Sequence, residues 1–311
     1  MSESINPPSV VSAATASLIA DIALQDFPIA TLYVVATPIG NSGDISLRAL
    51  HLLAIADAVA CEDTRNTGHL LTRYGLSKNL LAAHQHNERE VAGKLILRLQ
   101  AGERIALVSD AGTPVISDPG ARIVDTVRKA GLRVIPLPGA SAATSALSAS
   151  GLLADRFHFV GFLPAKSGQR DTTLASLRQL AATLVFYEAP HRIGETIDAL
   201  TAAFDGTRQI VIARELTKMF EEIHRCSLCD AGTWLRQDAN RQKGEFVVLL
   251  EGAAADADAN AIEADRVLSI LLTECSVKQA ASLAGLITGQ KKNALYDRAL
   301  KLKEQSESGT G

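Results

Sequence analysis

Short apolar runs that recur along residues 31–252 most constrain what this chain can fold into. Each run is four to six residues long and rich in apolar and β-branched residues, which is typical of strands buried on both faces. The runs are Leu32–Ala36, Ala58–Cys61, Ile105–Ser109, Val134–Leu137, Phe157–Phe162, Leu184–Tyr187, Ile210–Ala213 and Phe246–Leu250. Helical patterns separate most of them, at Ser46–Ala54, Val91–Gln100, Ala121–Ala130, Leu174–Leu180 and Ile193–Ala203. Strands that alternate with helices predict an α/β fold with mostly parallel sheets.

A change in loop chemistry near residues 148–156 divides this region into two predicted α/β domains, 31–150 and 151–252. Residues 1–30 contain acidic residues but no Lys or Arg, which predicts a flexible tail and argues against a secretory or transit peptide. Residues 253–260 are rich in Ala and Asp and are predicted to form a linker.

Residues 261–311 are predicted to form a helical unit with a short tail. Its helical patterns are Glu263–Leu272, Lys278–Ala284 and Lys292–Lys303. Breaks at Ser276 and Gly289 make the arrangement similar to a helix-turn-helix. Between Lys278 and Lys303 there are six basic residues and one acidic residue, a local charge of +5. Both a solvated helix face and an RNA-docking module are compatible with this cluster.

The overall composition excludes several classes of protein. The net charge of −3 excludes a uniformly basic nucleic-acid-binding surface. No uninterrupted apolar run reaches the roughly 18 residues that a membrane span needs. Four cysteines are too few for a disulfide-stabilised secreted fold, so a reducing, cytoplasmic setting is expected. Cys226 and Cys229 form a single CxxC, which is weak support for zinc and is better explained as a strand end and its turn.

Polar and Gly/Pro-rich segments follow six of the predicted strands. Because ligands of open α/β sheets lie beyond the carboxyl ends of the strands, these segments are predicted to form a site. They are Thr37–Asn41, Glu62–Arg65, Ser109–Gly120, Pro138–Ala142, Glu188–Arg192 and Arg214–Lys218. The chain has no P-loop, no GxGxxG after the first strand, no HExxH and no GxSxG. Small-residue loops of this kind suit an adenosine-like cofactor held by main-chain hydrogen bonds and apolar walls.

The motifs ATPIGN, EDTR, SDAGTPVISDPG, PGASA, YEAPHR, RELTK and GEFV occur in this order and resemble the tetrapyrrole-methylase superfamily. Within it, they resemble the enzymes that methylate the ribose 2′-hydroxyl of a cytidine in the decoding region of 16S rRNA. The resemblance covers residues 31–304. It implies S-adenosylmethionine as cofactor, two α/β domains with the cofactor cleft between them, a homodimer, and 16S rRNA or the small ribosomal subunit as partner. Ser42-Gly43, where the family usually has an apolar residue, and the N-terminal extension depart from the pattern, and both lie away from the implied cofactor contacts.

The resemblance also implies a set of cofactor contacts in the loops and strands of both domains. They are Pro38, Asp110, Gly112, Thr113, Val115, Ile116, Ser141, Ala142, Tyr187, Ala213 and the region before Phe246. For Asp110 the alternative is a turn-capping carboxylate, and for Tyr187 it is an ordinary core aromatic.

Methyl transfer from a sulfonium to a ribose oxygen needs an in-line arrangement and a group that accepts the hydroxyl proton, but no metal. Candidates for that group are Asp63, Glu188, Glu215 and Lys218. Lys218 is favoured because the neighbouring carboxylates could tune it. For the carboxylates and arginines of these loops, ordinary ion pairs are the alternative.

RNA contacts are predicted on both parts of the chain. They are Arg65, Arg192 and Arg214 in the cleft, and Lys291, Lys292, Arg298 and Lys301 in the helical unit. Two other functions stay open at this point: a small-molecule methyltransferase acting on a tetrapyrrole precursor, and a non-catalytic RNA-binding assembly factor. The basic helical unit argues against the first, and the intact loop motifs argue against the second.

Overall fold

A computed structural model describes residues 17–153, 155–253 and 257–308 of the chain. The described residues form two compact units. The first comprises the residues up to Arg178 together with Thr183–Glu251, and the second comprises Gln179–Ala182 and the described residues from Gly252 onward. None of the described helices is long and apolar enough to cross a membrane.

The first sheet of the larger unit is entirely parallel, with the strand order β3-β2-β4-β1-β5. Its strands are β1 (Thr31–Val35), β2 (Ala58–Cys61), β3 (Leu80–Ala82), β4 (Arg104–Val108) and β5 (Arg133–Leu137). Residues 17–23 form helix α1. The other helices of this part are α2 (Leu47–Ile55), α3 (Thr64–Arg73), α4 (Glu88–Gln100), α5 (Ala121–Lys129) and α6 (Ala142–Ala149).

Alternate residues of these strands enter separate apolar clusters on the two faces of the sheet. Tyr33 and Val35 pack with α2 on one face, while Leu32 packs with α4 and α5 on the other. Burial on both faces explains why the strands are continuous apolar runs in the sequence.

The second sheet has the order β6-β7-β10-β8-β9, and only β6 and β7 are parallel. Its strands are β6 (Phe157–Phe162), β7 (Thr183–Glu188), β8 (Gln209–Arg214), β9 (Glu222–Ser227) and β10 (Phe246–Leu250). Its helices are α7 (Ser167–Leu177), α8 (Ile193–Ala203) and α9 (Leu228–Gln237). The prediction of mostly parallel sheets is wrong here, because a short loop joins β8 to β9 and forces them to be antiparallel. The two sheets are linked by α6, whose Ala143 and Ala146 enter the core of the second sheet.

The smaller unit consists of α10 (Ala257–Leu272), α11 (Val277–Thr288) and α12 (Lys292–Ser308) around a small core that includes Leu268 and Leu295. As predicted, the helices break at Ser276 and Gly289. Ser276 forms a capping box with Gln279, and Gly289 ends α11 at a φ of 71°, a conformation that favours glycine. The linker predicted at 253–260 is wrong for 257–260, which are helical, while 254–256 lie outside the described residues.

The flexible tail predicted at 1–30 is wrong for the residues that the structure describes from 17 onward. Phe27 is buried in the first core, and its ring lies 5.0 Å from that of His51. The Arg104 Nε donates to the Phe27 carbonyl at 2.7 Å, and the Tyr33 hydroxyl donates to the Pro28 carbonyl at 2.8 Å. This segment therefore belongs to the folded unit.

Replacing Phe27 by alanine is expected to lower the free energy of unfolding by about 3 kcal/mol, because it removes a buried ring from a packed core. The measurement is the urea midpoint of the purified protein. Leu24→Ala is the matched control, since Leu24 is 86% exposed, and it should change stability by less than about 0.5 kcal/mol. If Phe27→Ala lowered the free energy of unfolding no more than Leu24→Ala does, the segment would contribute nothing to the core.

Candidate active site

The loops that follow β1 and β4 are joined at the carboxyl edge of the first sheet. The Thr37 amide donates to the Gly112 carbonyl at 2.9 Å, and the Gly112 amide donates to the Thr37 carbonyl at 3.0 Å. The Thr37 hydroxyl donates to the Ser109 carbonyl at 3.1 Å. The strand order makes β1 and β4 neighbours although they are far apart in the chain, and such switch points are where α/β sheets bind ligands.

The PGASA loop closes over the same edge. A side chain at Gly139 would place its Cβ 2.8 Å from the Cβ of Ala36, so the loop needs glycine for this close approach. The Thr113 hydroxyl donates to the Ala140 carbonyl at 3.1 Å. The Tyr187 hydroxyl, from the second sheet, accepts from the Ala143 amide at 3.2 Å. Three loops and one strand of the second sheet are thus fixed together.

Two loops of this region hold strained backbone. Val115 and Ser117 in the SDAGTPVISDPG loop have φ values of 78° and 64°, and Glu215 and Thr217 in the RELTK loop have 51° and 67°. Elsewhere in the described residues only Ala30 is a non-glycine residue with positive φ. Such conformations cost free energy and are concentrated at functional sites.

Both loops line a cavity of about 310 Å³ in the larger unit. Its walls are mainly apolar, with a few ionisable groups among them. The lining residues are Ile39, Ala111, Gly112, Thr113, Ile116, Ser117, Asp118, Ser141, Ala142, Phe162, Tyr187, Glu188, Ala189, Pro190, Leu216, Lys218, Glu245, Phe246 and Val247. Small apolar walls with few polar groups are typical of small-molecule sites.

Glu188 lies at the cavity but its carboxylate is already used inside the protein. Its oxygens accept from the Thr196 hydroxyl at 2.6 Å and from the Ala189 amide at 2.9 Å. The Arg192 Nε lies 3.4 Å from the same carboxylate, and the side chain of Glu188 has no solvent exposure. The geometry favours a role in holding the loop that follows β7.

Lys218 forms ion pairs with Glu215 and Glu245, with Nζ 2.8 Å from a carboxylate oxygen of each. Burial acts to lower the pKa of the Lys218 ammonium, but the hydrogen bonds to the two carboxylates outweigh it and the pKa lies above its usual value. The neighbouring carboxylates therefore raise the pKa of Lys218, which is the opposite of what a proton acceptor at neutral pH requires. Lys218 carries a positive charge at neutral pH, which favours binding an anion over accepting a proton.

Of the ten predicted cofactor residues, six line the cavity. They are Gly112, Thr113, Ile116, Ser141, Ala142 and Tyr187.

The other four lie outside the lining. Pro38 is buried beside Ile39, and Ala213 is in the core of the second sheet. Val115 packs toward Gly120. Asp110 accepts from the Asn66 side-chain amide at 2.7 Å and from the Asp63 backbone amide at 3.3 Å. Asp110 therefore ties the EDTR loop to the loop after β4.

Asp63 caps the N-terminus of α3, where it accepts from the amides of Arg65 and Asn66 at 2.7 and 3.4 Å. Its carboxylate also pairs with the Arg65 guanidinium at 3.1 Å. These hydrogen bonds, first of all the one from the Arg65 side chain, hold the pKa of Asp63 below its usual value. Asp63 is not a lining residue, and the geometry favours the ion-pair alternative.

The arginines predicted to bind RNA in the cleft differ in how available they are. The side chain of Arg65 is 86% exposed. Arg192 donates to the Leu163 carbonyl at 2.6 Å. Arg214, whose side chain is 11% exposed, pairs with Glu222 at 3.2 Å and also donates to the Asn240 carbonyl at 3.1 Å. Arg192 and Arg214 thus serve the fold itself.

In the helical unit, Lys291, Lys292 and Lys301 are exposed. Arg298 is paired with Asp265 of α10 in a bidentate arrangement whose second contact measures 2.8 Å. Arg298 therefore fastens α12 to α10 and is a poor choice for an RNA contact.

Within the described residues no group of His, Cys, Asp and Glu is arranged to hold a metal ion. Cys226 lies in β9 and Cys229 in the first turn of α9, so the CxxC spans a strand–helix junction where a strand end and turn were predicted. Both thiols are free.

Asp118 and Phe162 line the cavity but were not among the residues predicted from the sequence to bind the cofactor or act in catalysis. For Asp118 a signal was present, because it is the second Asp of the SDAGTPVISDPG motif. Phe162 ends a strand, where an aromatic residue is expected to belong to the core, but the residue is 52% exposed. Glu245, which also lines the cavity, lies in the region before Phe246 that the sequence predicted to contact the cofactor.

Two protein-family models match most of this chain. The family model of the Tetrapyrrole (Corrin/Porphyrin) Methylases matches residues 31–232, and that of the RsmI C-terminal HTH domain matches residues 258–303. Among solved structures, the methyltransferase CobJ superposes with a TM-score of 0.55 at 20% identity, covering 72% of this chain and 94% of that one. Uroporphyrin-III C-methyl transferase from Thermus thermophilus complexed with S-adenyl homocysteine gives a TM-score of 0.50 at 19% identity over 70% and 96%. These likenesses show the fold.

Curated relatives are more similar. Ribosomal RNA small subunit methyltransferase I of Pseudomonas aeruginosa is 49% identical over 89% of this chain and 99% of that protein. The protein of the same name from Mesorhizobium japonicum is 50% identical over 90% and 95%. The chain belongs to the tetrapyrrole methylase family, and within it to the family of ribosomal RNA small subunit methyltransferase I. The predicted fold class and methyltransferase activity are confirmed.

The residues around the cavity fit the expected cofactor, S-adenosylmethionine. Apolar side chains such as Ile39, Leu216 and Val247 offer walls for the adenosine. The Glu245 carboxylate suits its cationic groups, and the Lys218 ammonium suits its carboxylate. The donor set therefore matches a ligand that carries both charges on an otherwise apolar frame.

Proposed function

We propose that this protein is an S-adenosylmethionine-dependent methyltransferase that methylates the ribose 2′-hydroxyl of a cytidine in 16S rRNA. The observation that carries this proposal is the near-50% identity to ribosomal RNA small subunit methyltransferase I over almost the whole chain, helical unit included. A cytoplasmic location follows from that substrate.

The cofactor supplies a methyl group already activated by its positive sulfur. The chain has to hold it, exclude water and bring the ribose oxygen into line, which is where most of the rate enhancement arises. Gly112, Thr113, Ser141 and Ala142 are proposed to surround the cofactor from the first sheet, and Tyr187 from the second. Hydrogen bonds between the loops, such as that from Thr113 to Ala140, keep the cavity shaped before a ligand binds.

RNA binding is assigned chiefly to the exposed lysines of the helical unit, Lys291, Lys292 and Lys301, with Arg65 as a contact near the carboxyl edge of the first sheet. Exposed lysines attract phosphates without reading sequence, so the choice of nucleotide is left to the cavity and its rim.

A methyl-transfer assay with tritiated S-adenosylmethionine tests the function. Three substrates are compared: naked 16S rRNA, assembled small subunits and a tetrapyrrole precursor. Transfer to either RNA substrate and none to the precursor is expected. Transfer to the precursor alone would establish the small-molecule alternative, and RNA binding without any transfer would establish the assembly-factor alternative.

We also propose that the protein is a homodimer. Met219 and Phe220, in the loop that follows β8, are 89% and 66% exposed, and such adjacent apolar side chains favour contact with a second copy. The double substitution of Met219 and Phe220 by aspartate is expected to convert a dimer into a monomer in light scattering at micromolar concentration. Leu97→Asp, at a 69% exposed position on α4, should leave the dimer intact. A wild-type monomer, or a double variant that stays dimeric, would contradict this.

A further inference from the structure

We propose that Asp118 accepts the proton of the substrate hydroxyl during methyl transfer, an inference that rests on the proposed function. Asp118 lies in the loop between β4 and α5 and lines the cavity. None of the sequence motifs marked it as catalytic.

The loop that carries Asp118 is held on both sides. Glu88, a buried carboxylate at the start of α4, accepts from the amides of Gly120 and Arg122 at 3.2 and 3.0 Å. On the other side, the left-handed Ser117 lies so close to β6 that a Cβ at Gly161 would be 2.7 Å from its hydroxyl. A side chain fixed in this way is pre-organised to meet a substrate atom, which is what a general base requires.

The other carboxylates and the lysine proposed earlier are engaged elsewhere. Asp63 caps α3, and Glu188 is bound by Thr196 and by the Ala189 amide. Glu215 accepts from Lys218 at 2.8 Å and from the Glu245 amide at 3.0 Å. In contrast, the charges and hydrogen bonds that shift the pKa of Asp118 include none from a lysine or arginine of the described residues. Asp118 is therefore the cavity carboxylate best placed to take a proton.

The surroundings of Asp118 make it a stronger base than an ordinary aspartate. Burial raises its pKa to about 6, helped by the negative charges of Glu62 and Asp110, while a hydrogen bond from Ser109 acts in the opposite direction. From the second sheet, the ionisable groups at the same cavity are Tyr187, Glu188, Lys218 and Glu245. A base with a pKa near 6 is mostly ionised at neutral pH and still accepts a proton readily.

In the proposed step, the 2′-hydroxyl proton moves to the Asp118 carboxylate. An electron pair of the ribose oxygen forms the new O–C bond to the methyl group. The C–S bond breaks and its electron pair stays on sulfur, which becomes a neutral thioether. Charge and atoms balance. Asp118 is left protonated and then releases the proton to solvent.

Asp118→Asn is the decisive variant, because it keeps the size of the side chain and removes its basicity. Single-turnover methylation of small-subunit rRNA is expected to fall by a factor of about 10² to 10⁴, the usual contribution of a general base. Binding of S-adenosylmethionine by calorimetry should stay within threefold of wild type. Asp125→Asn, an exposed position on α5, is the matched control and should leave both quantities unchanged.

Two further readouts separate a catalytic role from a structural one. The wild-type rate should rise with pH through about 6 and then level off, since Asp118 works only when ionised. Glu62→Gln should move that rise to lower pH by removing a neighbouring charge, and ¹³C spectra should contain an aspartate carboxyl that titrates near pH 6 and is missing in Asp118→Asn. The inference is overturned if the wild type is active and the rate of Asp118→Asn lies within threefold of it. It is also overturned if the rate of Asp118→Asn rises with pH as the wild-type rate does. A wild type that methylates no RNA would instead overturn the proposed function.

Discussion

Replacing Gly112 by valine is expected to weaken binding of S-adenosylmethionine by at least 100-fold. Gly112 has a φ of 78°, which valine adopts only with strain, and its added Cβ would lie 3.3 Å from Ile39, another cavity residue. Both backbone groups of Gly112 are bonded to Thr37, so the strain cannot relax without opening the join between the β1 and β4 loops. Isothermal titration calorimetry gives the affinity.

Gly102→Val is the matched control for backbone strain. Gly102 also has a positive φ, of 93°, but it lies at the amino end of β4, whereas the cavity loops follow the carboxyl ends of the strands. This variant should lose stability and keep its cofactor affinity. Asp110→Ala should likewise retain most of its affinity, because Asp110 contacts Asn66 and lies outside the cavity lining. Unchanged affinity in Gly112→Val would remove the cofactor from this cavity.

Replacing Lys291, Lys292 and Lys301 together by glutamine is expected to weaken binding to small-subunit rRNA by 10- to 100-fold and to flatten its salt dependence. Each lost phosphate contact should reduce the slope of log K against log salt by about 0.7 to 0.9. Arg298 is left in place because it holds Asp265, and its replacement would mix loss of RNA binding with loss of helix packing. Filter binding at several salt concentrations measures both effects.

Lys94, Lys129 and Lys166, exposed lysines of the larger unit, provide a control with the same change in net charge. Their replacement by glutamine should leave the affinity within a few-fold. If both triple variants behave alike, the helical unit acts only through the overall charge of the molecule. If the first keeps its affinity and slope, its lysines form a solvated surface.

Strands buried on both faces were predictable because β1, β4 and β10 are continuous apolar runs apart from the first residues of β1 and β4, Thr31 and Arg104. β9 was not, since its alternating EIHRCS sequence at the sheet edge resembles a loop. Parallel and antiparallel strands that are buried on both faces have the same pattern, so the orientation of β8 and β10 came only from the structure. The N-terminal segment was predicted to be a flexible tail because it contains few apolar residues. A few of them, such as Phe27, are enough to pack it against the core.

Six of the ten residues predicted to contact the cofactor line one cavity, because loops at the carboxyl ends of neighbouring strands come together in this fold. Roles within the loops were harder to predict, since they depend on partners distant in sequence. Asp110 and Asp118 are eight residues apart in one motif, yet the first is bonded to Asn66 and the second faces the cavity. Lys218 lies beside carboxylates as expected, but only the distances establish that they keep it charged.

Identification of the methylated nucleoside tests the proposed function most directly. Small subunits lacking the modification are incubated with the protein and S-adenosylmethionine, and the rRNA is digested to nucleosides for mass spectrometry. We expect one 2′-O-methylcytidine per 16S rRNA with the wild type and none with Gly112→Val. A methyl group on a base, on another nucleotide, or on no RNA at all would contradict the proposed function.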